Sequence, residues 1–121
     1  MSKKAITVDD SRSMREMVSA VLRGAGFEVI QAEDGNDALS ILQSNQVDII
    51  VTDLNMPHMD GIALVKALRA LPNHRTTPIL VLTSRNTDEE KAEGRAAGAT
   101  GWLVKPFDPQ RLVQVVNRVC P

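Results

Sequence analysis

Apolar positions along the chain follow two alternating patterns. Five short runs are apolar almost throughout: Ala5-Ile6-Thr7-Val8, Phe27 to Ile30, Ile49-Ile50-Val51, Ile79 to Leu82 and Trp102-Leu103-Val104. Between them the apolar positions repeat with helical spacing. Met14, Met17, Val18, Val21, Leu22 and Ala25 fall at i, i+3, i+4, i+7, i+8 and i+11, which is one face of a helix. Ser13 with Glu16 offers a capping box, Ser11 offers an alternative cap, and Gly24 and Gly26 offer a stop. Asp34-Gly35 opens a second helix with Ala38, Leu39 and Leu42 on its inner face, and Gly61 opens a third with Leu64, Val65, Leu68 and Leu71. A fourth helix starts at Thr87 but carries only Ala92 and Ala96 as an apolar face, and Gly94 weakens it further, so it is expected to be loosely held. The fifth starts at Asp108-Pro109, a good N-cap and first-turn pair, and carries Leu112, Val115, Val116 and Val119.

Strand thus alternates with helix five times, which predicts an α/β domain around a parallel sheet. The runs after Asp48 and Pro78 are continuously apolar, as strands covered on both faces must be. The runs at 27–31 and 101–104 are more mixed and suit sheet edges. The expected fold is therefore a doubly wound five-stranded parallel sheet of order 2-1-3-4-5, flavodoxin-like, with five helices.

Composition narrows the function. The chain has 121 residues, the size of one domain. Its 14 basic and 15 acidic residues leave a net charge of −1, so no basic footprint for nucleic acid or an anionic membrane exists. One tryptophan, two phenylalanines and no tyrosine leave little to stack on bases. The single cysteine, Cys120, excludes an intrachain disulfide and suits a reducing compartment. No run is long enough for a signal peptide or a membrane span. A cytoplasmic, monomeric, single-domain protein over residues 1–121 without an output domain is the expectation.

In such a sheet, ligands bind beyond the carboxyl ends of the strands. After the first strand come Asp9 and Asp10, after the third Asp53, after the fourth Thr83 and Ser84, and after the fifth Lys105. Two carboxylates ~4 Å apart repel by roughly 4 kcal/mol at an effective dielectric near 20. Lys105 can neutralise one charge; the remainder calls for a hard divalent cation with oxygen ligands, which suits Mg2+. A carboxylate beside Mg2+, a hydroxyl and an ammonium can accept a phosphoryl group. Taken singly, these residues have plainer readings: a strand-end aspartate is usually a turn residue, and Asp60-Gly61 reads as a turn and helix start. Met14 and Met17 read as core, His58 and His74 as loop residues, Cys120 as inert, and the acidic run 88–90 as a solvated face.

Four stretches, in order, resemble one known family: Val8-Asp9-Asp10-Ser11, the run Asp53 to Gly61, Leu82-Thr83-Ser84, and the run Ala97 to Phe107. The chain resembles the receiver domain of two-component response regulators, and in particular the stand-alone chemotaxis type. The resemblance implies that Asp53 is the phosphoacceptor. It implies that Asp10 holds Mg2+ directly, Asp9 largely through water, and Asn55 through its backbone carbonyl. Lys105 would pair with the phosphoryl oxygens, Thr83 would turn its hydroxyl toward them, and Trp102 would occupy an aromatic switch position. A cis Lys105-Pro106 bond is also implied.

Implied partners are a chemotaxis histidine kinase as donor, a flagellar motor switch protein as target, and a phosphatase. The face made by the fourth helix, fifth strand and fifth helix would respond to phosphorylation. Trp102 departs from the family's usual tyrosine or phenylalanine, and Arg85 stands where an acidic residue is common. A phosphate sink or a docking receiver is the alternative outcome. A flavin carrier on the same fold is disfavoured, since Asp9-Asp10 would repel the flavin phosphate. An aspartate-nucleophile phosphatase is disfavoured because Asn55 stands where a second acid belongs. The expectation is a phosphoacceptor signalling protein, not an enzyme acting on an external substrate.

Overall fold

The computed structural model describes residues 3–54, 56, 59–84 and 87–121. Its elements run β1 (Lys3–Val8), α1 (Arg12–Gly24), β2 (Phe27–Ala32), α2 (Gly35–Leu42), β3 (Ile49–Asp53), α3 (Gly61–Arg69), a 3-10 turn (Pro72–His74), β4 (Ile79–Thr83), α4 (Asp88–Ala97), β5 (Gly101–Val104) and α5 (Pro109–Val119). The strands form one sheet of order β2-β1-β3-β4-β5, and every neighbouring pair is parallel. This is the doubly wound, flavodoxin-like order expected from the alternation of runs, with β2 and β5 at the edges.

Side-chain alternation along each strand splits the core in two. Ile6, Val8, Ile50, Ile79 and Val81 pack with Ala38, Leu42, Leu64, Val65 and Leu68 of α2 and α3. Ala5, Ile49, Val51, Leu80, Leu82 and Leu103 pack with Val18 and Leu22 of α1 and Leu112 and Val116 of α5. Met14 and Met17 pack against this second layer as expected. The central strands β3 and β4 are buried at every position, which is why their sequences are continuously apolar up to Thr52-Asp53 and Thr83.

Helix starts follow their capping side chains. Asp34, Asp60, Thr87 and Asp108 accept from the backbone N–H groups of Asp37, Ala63, Glu90 and Gln110. Of the two candidates for α1, Ser11 is the cap: its Oγ accepts from Met14 N at 3.3 Å, and Ser13 lies inside the helix.

Two expectations need correction. The face that α4 buries is Gly94 and Ala97, whereas Ala92 and Ala96 are exposed. The glycine sits on the packed side because a neighbour approaches too closely for a Cβ. His74 is not an ordinary loop residue but is fully buried. Its Nε2 lies 3.0 Å from Leu42 O and 3.1 Å from Asn45 O, and its Nδ1 lies 3.1 Å from Thr77 Oγ1. Two carbonyls on Nε2 require the proton there, and Nδ1 pairs with the threonine hydroxyl. Cys120 is buried against the second layer, and burial pushes its thiol up, which agrees with an inert role. None of the described helices is long and apolar enough to cross a membrane.

Candidate active site

Parallel pairing brings all five strands to the same edge with their carboxyl ends together. Val8 pairs with Thr52, so Asp9 and Asp53, one residue on, come level across the β1–β3 seam. Asp53 pairs with Leu82, and Thr83 with Val104, which sets Thr83 and Lys105 at the ends of the next two strands.

Asp9 and Asp53 are buried, with 4% and 8% of their surface exposed, and Asp10 is exposed. One carboxylate oxygen from each of the three lies within 4.8 Å of the others. Lys105 Nζ reaches back over β4 to sit 3.4 Å from Asp53 Oδ1 and 3.5 Å from Asp9 Oδ2. One ammonium therefore bridges two acids, and its single charge still offsets only one of theirs, as the sequence suggested. Among the described residues three carboxylates face one cation, and the surplus negative charge sits on oxygen donors.

Local hydrogen bonds fix the orientation of each acid. Asp9 Oδ1 accepts from Ser11 N at 2.9 Å, and the Asp9 carbonyl accepts from Arg15 Nη1 at 2.7 Å. Arg15 thus braces the β1–α1 turn. The helical pattern hides this role, because Arg15 reads there as a solvent-side cation. Asp53 Oδ1 accepts from Leu54 N at 2.8 Å. Gly61 closes the loop behind Asp53 by donating its N–H to Leu54 O at 2.7 Å. A Cβ on Gly61 would stand 2.7 Å from the Asp53 carbonyl oxygen, so only glycine fits at this approach.

The Asp9 carboxyl is raised above its ordinary 3.8. Burial is the largest cause; the Ser11 N–H and Lys105 oppose it, and Asp53 adds to it. The donor set fits Mg2+: several hard carboxylate oxygens within one ion's reach, carrying more negative charge than Lys105 offsets.

Thr83 is fully buried, and its carbonyl accepts from Lys105 N at 2.7 Å. The Lys105–Pro106 peptide bond is cis. Trp102 lies outside the acid cluster. It pairs in register with Val81, and with side chains alternating along β4 it shares a sheet face with Thr83. Asn55, Arg85 and His58 lie outside the described residues.

Comparison with known proteins agrees with this geometry. The response regulator receiver domain profile matches residues 5–117. The chemotaxis protein CheY of Pseudomonas aeruginosa is 38% identical over 117 residues, covering 96% of this chain and 94% of the relative. The transcriptional regulatory protein PrrA of Mycobacterium tuberculosis is 41% identical over 118 residues, but the chain spans only 48% of its length. Among solved structures, chemotaxis protein CheY4 of Vibrio cholerae superposes with a TM-score of 0.95 at 49% identity, covering 98% of this chain and 99% of that one. CheY is itself a type example of this strand order. The receiver domain of a sensor histidine kinase from Pseudomonas aeruginosa superposes with a TM-score of 0.90 at 27% identity, covering 99% and 98%, and holds a magnesium ion in its active site cleft. With its strand order, its acid cluster and these likenesses in agreement, the chain belongs to the response regulator receiver domain family.

Proposed function

We propose that this chain is a phosphorylation-activated switch of a chemotaxis-type two-component system, working in the cytoplasm and taking its phosphoryl group from a histidine kinase. The observation that carries the reading is the trio of close carboxylates with Lys105 bridging Asp9 and Asp53.

Asp53 is the acceptor in this reading. One carboxylate oxygen attacks the phosphorus of a phosphohistidine, the P–N bond breaks, and the freed imidazole leaves with the nitrogen's electron pair and takes up a proton. The product is an acyl phosphate on Asp53. Asp9, Asp10 and Asp53 would hold Mg2+, with Asn55 the further ligand that the family resemblance implies, and the bound ion would offset charge on the transferring oxygens. Lys105 is already 3.4 Å from Asp53 and supplies the second cation. Positioning by Gly61 and the Asp53–Leu54 turn does much of the rest.

The signal leaves through Thr83 and Trp102. Both lie on the α4 side of the sheet, and a Thr83 hydroxyl drawn toward a phosphoryl group vacates space below Trp102. Only Gly94 and Ala97 of α4 are buried, so a small repacking there can move the helix. The output is a binding event on the α4–β5–α5 face, with a flagellar motor switch protein as target. The protein is a phosphoacceptor and not an enzyme turning over an external substrate, and a phosphatase resets it.

A chemotaxis histidine kinase carrying labelled phosphohistidine tests this. Label should move to the wild-type chain within seconds and not to Asp53→Asn. Retention of label on the kinase with both proteins contradicts the donor assignment. Transfer without binding of the phosphorylated chain to the motor switch protein would make it a phosphate sink.

A further inference from the structure

Gly94 stands in the middle of α4, where alanine would support the helix better. A Cβ built there would lie 2.5 Å from Trp102 Cζ3 and 3.1 Å from Trp102 Cε3. These are atoms of the six-membered ring of the indole, which therefore rests on the bare backbone of α4. The next neighbour, Ile62 Cδ1, is at an ordinary 3.6 Å. Gly94 and Ala97 are the buried residues of α4, so this contact lies on the helix's packed face. Val81 and Thr83, on the same face of the sheet as the indole, are fully buried. Beside it a cleft of about 60 Å3, lined by Lys91, Arg95, Ala99 and Thr100, opens outward.

The geometry points to Gly94 as a positioning residue for Trp102. Its missing side chain is the seat that lets an indole lie under α4, and the indole–glycine contact links any movement of Trp102 to the helix. The second half of this inference rests on the switch reading above; the first half stands without it.

Gly94→Ala, Trp102→Phe and the double variant test it, first with no phosphodonor. The added methyl forces the indole toward the cleft, so the emission of this sole tryptophan moves to longer wavelength and acrylamide quenches it more strongly. Overpacking makes α4 amides exchange about tenfold faster in Gly94→Ala than in the wild type. In the Trp102→Phe background the far ring is gone, and the same substitution slows exchange up to about fivefold, as helix propensity alone dictates. Slower exchange in both backgrounds, or unchanged emission and quenching, overturns the seat. If Gly94→Ala alone fails to fold, recovery in the double variant supports the inference and failure to recover overturns it.

Acetyl phosphate with Mg2+ then tests the link. Intact mass should show the same phosphoryl gain in Gly94→Ala as in the wild type, with the Trp102 fluorescence response lost. A full wild-type response in Gly94→Ala overturns the link. No mass gain in either protein defeats the switch reading, and with it the link, while leaving the seat standing on the donor-free comparison.

Discussion

Asp9 is the acid of the site that burial strains most visibly. Burial raises its carboxyl above 3.8. A raised acid is most comfortable when protonated, so its burden on stability is absent below 3.8 and grows as pH climbs through the raised value. In metal-free protein, Asp9→Asn should therefore be more stable than the wild type at pH 7. The gain should fade as pH falls toward 3.8. Urea titrations across pH measure this, and an equal gain at every pH would assign the effect to packing and not to charge. Lys105 belongs to the same scale, because it touches both acids. Lys105→Ala should still take up a phosphoryl group when Mg2+ is present, but Trp102 fluorescence should no longer respond. A normal response in that variant would remove Lys105 from the coupling.

Among the elements, α4 is held at its carboxyl end by Arg69, through contacts distant in sequence. Arg69 Nε and Nη2 donate to Gly98 O at 3.1 and 2.9 Å, and Nη1 donates to His74 O and Thr77 O at 2.8 and 2.7 Å. Gly98 ends the helix at φ 117. One guanidinium thus ties the end of α4 to the turn before β4, and the buried His74 ties that turn to the end of α2. Arg69→Met keeps much of the volume and removes every donor, so it should cost about 2 kcal/mol by leaving carbonyls unpaired. An equilibrium unfolding curve reads this directly, and a loss under about 0.5 kcal/mol would show that water replaces the clamp. Apolar periodicity located α1, α2, α3 and α5, because burial of a side chain leaves that trace, whereas α4 was placed by its start at Thr87. It misassigned the inner face of α4, because a glycine packed under an indole carries no apolar signal. It also missed the roles of His74 and Arg69, whose partners are mostly carbonyls, which every residue has and which no sequence pattern marks.

Taken as one molecule, the protein shows how topology gathers a site from scattered positions. Asp9 and Lys105 are separated by 96 residues, yet every strand of the parallel sheet ends at the same edge. That is why the acids, Thr83 and Lys105 were legible before any coordinates: strand ends are readable, and one rule of chain direction brings them together. The bridging position of Lys105 was not legible, since it depends on how far the side chain leans over β4. The Arg15 brace and the close approach of Gly61 likewise depend on turn geometry. The proposed switch depends on Asp53 acting as a Mg2+-dependent phosphoryl acceptor. Intact mass after incubation with acetyl phosphate, with and without Mg2+ and beside Asp53→Asn, tests it most directly. The expected result is a gain of one phosphoryl group in the wild type with Mg2+, and none in the variant or without the metal. An equal gain in Asp53→Asn, or no gain in the wild type under any condition, would contradict it.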